Sequence, residues 1–160
     1  MRNRRYRFGV LTGYVFANNF VALQAALSGG ADPNELDSDG RTPLIHAVID
    51  NQLEIARLLV ESGAQIDVRD YRGTTALHVA AQNQNLEMAS LLLHHGAPID
   101  AEDGDGNTPL STAVFNSKGH GDLISALLSA GADRDHQNKH GVSPLELAKS
   151  IANYNITQYF

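Results

Sequence analysis

The chain has 160 residues, enough for one domain with its own hydrophobic core, and its 42% hydrophobic content is typical of a folded globular protein. It contains no cysteine, which excludes disulfide bonds, thiolate zinc sites and a cysteine nucleophile. The formal charge is −6, but residues 14–160 hold eight Lys and Arg against eighteen Asp and Glu, a charge of −10. Because an acidic body repels phosphate and attracts cations, we expect no nucleic acid partner and favour a basic protein.

The N-terminal segment combines four arginines with an apolar run over residues 8–17. Gly9, Thr12 and Gly13 interrupt the run and no small-x-small cleavage site follows it, so the segment does not match a secretory signal. No stretch has the length needed to cross a bilayer. We therefore expect no membrane association, a cytoplasmic location and a solvated N-terminus that leads into the first helix. The four arginines are Arg2, Arg4, Arg5 and Arg7.

One eight-residue phrase then occurs four times, at residues 40–47, 73–80, 106–113 and 141–148. It reads GRTPLIHA, GTTALHVA, GNTPLSTA and GVSPLELA, and its leading glycines are 33, 33 and 35 residues apart. A Gly-Ala pair recurs with the same spacings, beginning at Gly30, Gly63, Gly96 and Gly131. Two markers that share one period indicate an internal repeat.

Each unit predicts two short helices. The first helix begins after a hydroxyl N-cap, and proline occupies its first position in three of the four phrases. The caps are Thr42, Thr75, Thr108 and Ser143, and Thr75 is the one without a following proline. The second helix carries aliphatic residues at spacings of three and four, and the glycine of the Gly-Ala pair supplies the left-handed residue that ends it. Acidic, glycine-containing segments form the turn to the next unit.

These phrases resemble the ankyrin repeat, which has the same period and the same Thr-Pro-Leu-His-x-Ala pattern. Two short helices bury one face only when the next pair stacks on them. The resemblance therefore implies an all-α fold, an ankyrin-repeat solenoid of paired antiparallel helices with projecting turns. Residues 1–160 would form a single domain of about five repeats, at residues 8–39, 40–72, 73–105, 106–140 and 141–160.

Three features depart from a uniform array. The first repeat lacks the leading turn and the Thr-Pro pair, and the last has a short second helix. The fourth has two extra residues around residues 116–121, which should bulge in the loop between its helices. Near the C-terminus, aromatic and aliphatic residues fall where earlier repeats carry core aliphatics, so we expect this end to be packed. These residues are Tyr154, Ile156, Tyr159 and Phe160.

The histidines are the first candidates for chemistry. The resemblance implies a structural hydrogen bond from His78 to the neighbouring backbone. His94 and His95 are consecutive, so their side chains point in different directions, and no third ligand accompanies His136 and His140 in sequence. We expect no metal site and no cofactor.

The segment over residues 103–106, Asp-Gly-Asp-Gly, has the composition of a calcium loop. With Gly106 at the sixth position, Ala101 and Thr112 occupy positions that require carboxylates, so the match fails at both. No glycine-rich loop enters a helix after a strand to hold phosphate, and no spacing supports a triad of Ser111, His78 and an aspartate. We expect no catalytic residues and no enzymatic activity.

In the ankyrin family a partner usually contacts the tips of the turns and the exposed, concave face of the first helices. The matching tip residues in this chain are Asp39, Arg41, Arg69, Tyr71, Arg72, Glu102, Asp105, Asn107, Lys139 and His140. The matching first-helix residues are Ile49, Gln82, Asn83 and Phe115. We predict that these fourteen residues form the partner-binding surface.

Tyr71 is central in the array, and Ile49 and Phe115 lie one repeat to either side, where large apolar groups serve no core. With Arg69 and Arg72 beside it, Tyr71 has the composition of an interface hot spot. A second, compatible interpretation is that the two arginines pair with carboxylates on adjacent tips. Those carboxylates belong to Asp39, Glu102 and Asp105.

The leading hypothesis is a non-catalytic protein-binding module that is a monomer on its own. The segment over residues 143–154 also resembles small bacterial ankyrin proteins encoded beside toxins, some of which serve as immunity proteins that block a toxin's active site. An immunity protein against a basic toxin is therefore a narrower alternative, and a scaffold or adaptor would use the same surface. An enzyme accessory or hydrolase would need a pocket of convergent polar groups, which a solenoid of this size seldom builds.

Overall fold

The computed structural model describes residues 9–160, so the N-terminal arginines and the predicted solvated lead segment lie outside the described residues. Between these limits the chain forms nine α-helices and one 3₁₀ helix, and no strand. In chain order the helices are α1 (Val10–Phe16), α2 (Phe20–Ser28), α3 (Pro43–Ile49), α4 (Leu53–Glu61), α5 (Ala76–Gln82), α6 (Leu86–His94), α7 (Pro109–Asn116), α8 (Asp122–Ser129) and α9 (Pro144–Ser150). The C-terminal 3₁₀ helix spans Ile156–Tyr159.

The helices stack as two layers. The first helices of consecutive repeats contact one another in the order α1, α3, α5, α7 and α9, and the second helices in the order α2, α4, α6 and α8. Leu44, Leu77 and Leu110, which occupy one position of the repeat, are completely buried between the layers. The core is thus a continuous line through the stack, and the prediction of an all-α ankyrin-repeat solenoid is confirmed.

The first helices begin where the hydroxyl residues predict. The Thr42 and Ser143 hydroxyl oxygens each accept a hydrogen bond at 3.2 Å from the backbone N–H three residues on. Thr75, which lacks the following proline, shares a capping box with His78 instead. Each cap satisfies one of the N–H groups that a helix start leaves without a partner, so α3, α5 and α9 begin at fixed residues.

His78 links two repeats. Its Nδ1 accepts a hydrogen bond from the Thr75 N–H at 3.3 Å, and its Nε2 donates to the Asn107 carbonyl at 3.0 Å. This is the structural bond to the neighbouring backbone that the resemblance implies. Burial lowers the pKa of His78 below the value usual for histidine, although the bond to Asn107 opposes this effect.

The lowered pKa of His78 predicts that the fold loses stability in mild acid. The unfolded chain binds a proton at His78 below about pH 6.5, whereas the folded chain does so only at lower pH. The free energy of unfolding is therefore unaffected by His78 above about pH 6.5 and decreases as the pH falls below that value. We expect His78 to contribute a loss of at most about 2 kcal/mol at pH 5. Urea denaturation at pH 7.5 and pH 5 measures the loss, and a His78→Gln variant that loses as much would contradict the assignment.

The C-terminal end is packed mainly by the 3₁₀ helix. Ile156 is completely buried, Tyr159 and Phe160 pack partly buried against the core, and the Tyr159 hydroxyl donates to the Gly119 carbonyl at 3.1 Å. The expectation of a packed Tyr154 is wrong, since 47% of it is exposed. The cause is that α9 ends at the extended residue Ile151 and is followed by a 3₁₀ helix, where earlier repeats have a second α-helix.

The loop between α7 and α8 has five residues where the corresponding loops of the earlier repeats have three, as its two extra residues predict. The sequence did not indicate which residues this bulge contacts. A Cβ placed on Gly119 would lie 2.8 Å from the Tyr154 ring, and one on Gly121 would overlap the Tyr159 ring. The bulged loop therefore provides the surface on which the two C-terminal tyrosines lie.

Gly63 ends α4 with φ of +91°, as predicted for the glycine of the Gly-Ala pair. We expect Gly63→Ala to lower the free energy of unfolding by about 1 to 2 kcal/mol, because a Cβ is disfavoured in the left-handed region. Gly13, by contrast, lies inside α1 with no heavy atom within 4 Å of an added Cβ. Gly13→Ala should stabilise by about 0.5 to 1 kcal/mol. Urea denaturation of both variants tests the assigned helix end, and effects of the same sign would contradict it.

Candidate functional site

Each projecting turn is held by one side chain at its base. The Oδ1 atom of Asp37 accepts the N–H groups of Asp39 and Arg41 at 2.7 and 2.9 Å. The same two bonds recur at the bases of the later turns, which are Asp70, Asp103 and Asn138. These side chains replace backbone partners within the turn and give all four tips one shape.

Asp37 at the base of the first turn is a buried carboxylate with several bonding partners. Its Oδ2 atom lies 2.7 Å from His46 Nε2, and both side chains are buried. Burial raises the pKa of Asp37, but the Arg41 N–H, the His46 ring and the Asp39 N–H lower it by more, so the net pKa lies below the usual value for aspartate. The Asp37 carboxylate is therefore bonded both to its own turn and to His46 of α3.

The tips are joined by backbone hydrogen bonds from one repeat to the next. Tyr71 N–H donates to the Asp39 carbonyl at 3.0 Å, Gly104 N–H to the Arg72 carbonyl at 2.6 Å, and Lys139 N–H to the Asp105 carbonyl at 3.0 Å. A Cβ on Gly104 would lie 2.8 Å from the Arg72 carbonyl oxygen, so only glycine fits this contact. We call this line of linked turns the tip row. Its side chains are presented from a fixed backbone.

The predicted pairing of Arg69 and Arg72 with carboxylates on adjacent tips is wrong. Arg69 Nη1 donates to the backbone carbonyl of Glu102 at 2.7 Å. Asp39 lies 3.9 Å from Arg41 of its own tip, and the Glu102 carboxylate lies 3.1 Å from His136. Within residues 9–160 the side chains of Arg72 and Asp105 make no hydrogen bond or ion pair. A tip arginine can thus bond to a backbone carbonyl in place of a carboxylate, and the side chains of Arg72 and Asp105 are left for contacts outside the described residues.

Two grooves lie on the face formed by the first helices and the tip row, which we call the first-helix face. The charged groove, between the second and third repeats, has a volume of about 310 Å³ and is lined by Arg41, Ile49, Asp70, Arg72, Gln82 and Asn83 among others. The Phe115 groove, between the fourth and fifth repeats, has about 420 Å³ and is lined by Asn107, Ser111, Phe115, His140, Val142 and Leu147 among others.

The grooves divide the predicted partner-binding residues into three sets. Five line the charged groove: Arg41, Ile49, Arg72, Gln82 and Asn83. Three line the Phe115 groove: Asn107, Phe115 and His140. The remaining six lie on the tip row outside both grooves: Asp39, Arg69, Tyr71, Glu102, Asp105 and Lys139. The structure therefore brings eight of the fourteen into two clusters.

Two of the predicted residues are already used within the stack. Asn83 Nδ2 donates to the carbonyls of Val48 and Ile49 at 3.1 and 3.3 Å, which ties α5 to α3. Asn107 accepts from Asn138 at 2.8 Å through its Oδ1, and its Nδ2 lies 3.3 Å from an oxygen of Asp103. Their polar atoms connect repeats, so these side chains have little left to offer a partner.

The large apolar side chains differ in the fraction of their surface that is exposed to solvent. Tyr71 is 78% exposed on the tip row, where its ring lies against Gly40 of the preceding tip. Phe115 is 74% exposed and borders its groove together with Val142 and Leu147, whereas only 37% of Ile49 is exposed. Leu147 was not among the predicted residues. The sequence signal that could have found it is its place in the repeat. Leu147 lies three residues after the proline that begins α9, and Thr112 holds the same place in α7.

No group of three or more histidine, aspartate or glutamate side chains within residues 9–160 is placed to hold a metal ion. No helix in the same range is both long and apolar enough to span a bilayer.

Two family models match this sequence. The model for ankyrin repeats in three copies matches residues 13–103, and the model for a single ankyrin repeat matches residues 105–139. No curated protein matches the sequence. Ankyrin repeats are protein–protein interaction modules, and the matched residues include both grooves except for the lining residues of the Phe115 groove from His140 onward. With most of its length matched, the chain belongs to the ankyrin-repeat family.

Proposed function

We propose that the chain is a non-catalytic module that binds a partner protein through its tip row and first-helix face. The observation that carries the proposal is that two large aromatic side chains, Tyr71 and Phe115, are each about three-quarters exposed and do not belong to the core. Large aromatic side chains on a rigid backbone bind at low entropic cost and are frequent hot spots of interfaces. The linked tips supply that rigid backbone.

The charge of the chain favours a basic partner. The predicted tip residues are nearly balanced in charge, because they comprise three carboxylates (Asp39, Glu102 and Asp105) and four cations (Arg41, Arg69, Arg72 and Lys139). The acidic excess therefore lies elsewhere, including Glu54, Glu87 and Asp122 at the starts of the second helices. Such a field steers a basic protein over distance, while the contact itself is made by mixed charges.

A basic toxin that cuts nucleic acid fits this description, so an immunity protein is the narrower form of the proposal. A scaffold or adaptor would bind through the same residues, and only the effect on the partner's activity separates the two. Once the partner is identified, its activity assayed with and without this chain decides between inhibition and scaffolding.

The proposal is tested by placing a tryptophan on either face of one repeat. Gln82→Trp changes the first-helix face and Ser90→Trp changes the opposite face, and both positions are exposed. The partner is first captured on the immobilised chain and identified, and its affinity for each variant is then measured by calorimetry. We expect Gln82→Trp to weaken binding at least about tenfold, or roughly 1.4 kcal/mol, because the neutral, bulky ring fills the charged groove, and Ser90→Trp to leave binding unchanged. The reverse result would contradict the proposed face.

A further inference from the structure

The charged groove contains a cation that has no counter-ion in the described part of the chain. Arg41 and Arg72 both line it, and Asp70 is the one carboxylate among its lining residues. The Asp70 side chain is only 5% exposed, accepts the N–H groups of Arg72 and Thr74 at 2.9 and 3.0 Å, and lies 3.4 Å from Arg41 Nε. Arg41 has a second carboxylate, Asp39, at 3.9 Å. The negative charge at the groove is therefore engaged by Arg41 and by the turn, and the Arg72 guanidinium is left unpaired among the described residues.

Neutral donors accompany this guanidinium. The Thr74 hydroxyl and the Gln82 amide line the same groove, and neither makes a side-chain hydrogen bond within residues 9–160. Asn83 differs, since its amide already donates to backbone carbonyls. Arg69 is turned away to the Glu102 carbonyl and does not line the groove. Among residues 9–160, the groove thus offers one cation and two hydrogen-bonding side chains that have no partner.

We infer that the charged groove is a subsite for a carboxylate, an aspartate or glutamate side chain of the partner protein, and this inference rests on the proposed function. The planar guanidinium of Arg72 matches a carboxylate in two parallel hydrogen bonds, and Thr74 and Gln82 donate to the remaining lone pairs. A volume of about 310 Å³ admits such a side chain.

The subsite is distinct from long-range attraction, because an acidic chain as a whole repels a carboxylate. A net basic partner that carries one acidic residue in its contact surface satisfies both the field and the groove. Arg72 would also disfavour wrong partners, since a partner with a basic side chain at this position would place a like charge against the guanidinium.

The test uses N-acetylglutamate amide as the probe, followed by NMR of the arginine Nε–Hε and glutamine side-chain signals. We expect saturable shifts at Arg72 and Gln82, no such response to the neutral N-acetylglutamine amide, and a dissociation constant at least fivefold weaker in Arg72→Lys. Arg57, an exposed arginine on the opposite face, is the matched control, and Arg57→Gln should bind the probe as well as the unchanged protein does.

Equal shifts at Arg57 and Arg72, or an equal response to the glutamine analogue, would overturn the subsite. Tighter binding of inorganic phosphate with the same shifts would overturn it in favour of a phosphate site. These outcomes are separable from failure of the proposed function. If the groove takes the probe but the native partner ignores Gln82→Trp, the groove still binds a carboxylate and the proposed face is rejected. If the partner loses affinity in Gln82→Trp but the probe does not bind, the carboxylate subsite is rejected and the proposed face stands.

Discussion

Removal of residues 141–160 is expected to precipitate the protein or to lower its denaturation midpoint more than any single substitution would. The segment holds α9 and the C-terminal 3₁₀ helix, and α9 packs directly on α7. Its loss would expose the apolar side of the fourth repeat, which has no other cover, because each repeat of a solenoid is buried only by its neighbours. Solubility and urea denaturation of the shortened chain measure the effect.

A point variant gives the same test without truncation. Ile156 is completely buried in the 3₁₀ helix, so Ile156→Ala should lower the free energy of unfolding by about 2 to 5 kcal/mol. Gln158, two residues on, is exposed, and Gln158→Ala should stay within about 0.5 kcal/mol. A shortened chain with an unchanged midpoint, or equal effects of the two point variants, would show that this segment does not cap the stack.

The array could be predicted from the sequence because its signals repeat. A hydroxyl cap, a proline and a terminal glycine each act within one turn of a helix, so their meaning does not depend on distant residues. Thr42 and Ser143 cap their helices and Gly63 has positive φ, as the pattern predicts. The shared period then leaves stacking as the one way to bury the apolar faces.

The site could be predicted only in part, because it depends on contacts between repeats. The tip positions follow from the period, but the partner of each arginine does not. Arg69 reaches a backbone carbonyl and Arg72 reaches nothing within the described residues, because the tip-to-tip hydrogen bonds fix which groups are near. The Phe115 groove likewise combines side chains of α7 and α9, and the period that brings the two helices together does not show that the Phe115 ring stays exposed.

Tyr154 shows a second limit of the same kind. Its place in the repeat predicts burial, yet within the described residues no second α-helix follows α9 to hold it. Its ring lies on Gly119 of the bulged loop instead. A position in a repeat therefore predicts burial only where the repeat forms both of its helices.

The largest effects on partner binding are expected from Phe115→Ala and Tyr71→Ala. Each should weaken binding by about 2 kcal/mol or more, roughly 30-fold, because each removes an exposed aromatic ring that only a partner can bury. Folding should barely change, since neither ring belongs to the core. Thermal melts and binding titrations against the identified partner measure the two quantities separately.

Charge and apolar contact should separate in the kinetics of the same complex. Asp105→Lys removes an unpaired exposed carboxylate, so it should chiefly slow association and reduce the dependence of the association rate on salt. Phe115→Ala and Tyr71→Ala should instead speed dissociation, because buried contacts hold the complex after encounter. Full affinity in both alanine variants would remove the aromatic residues from the interface. An association rate indifferent to ionic strength would exclude a partner drawn by the acidic body, and the family's general role in protein binding would then be what is left of the proposal.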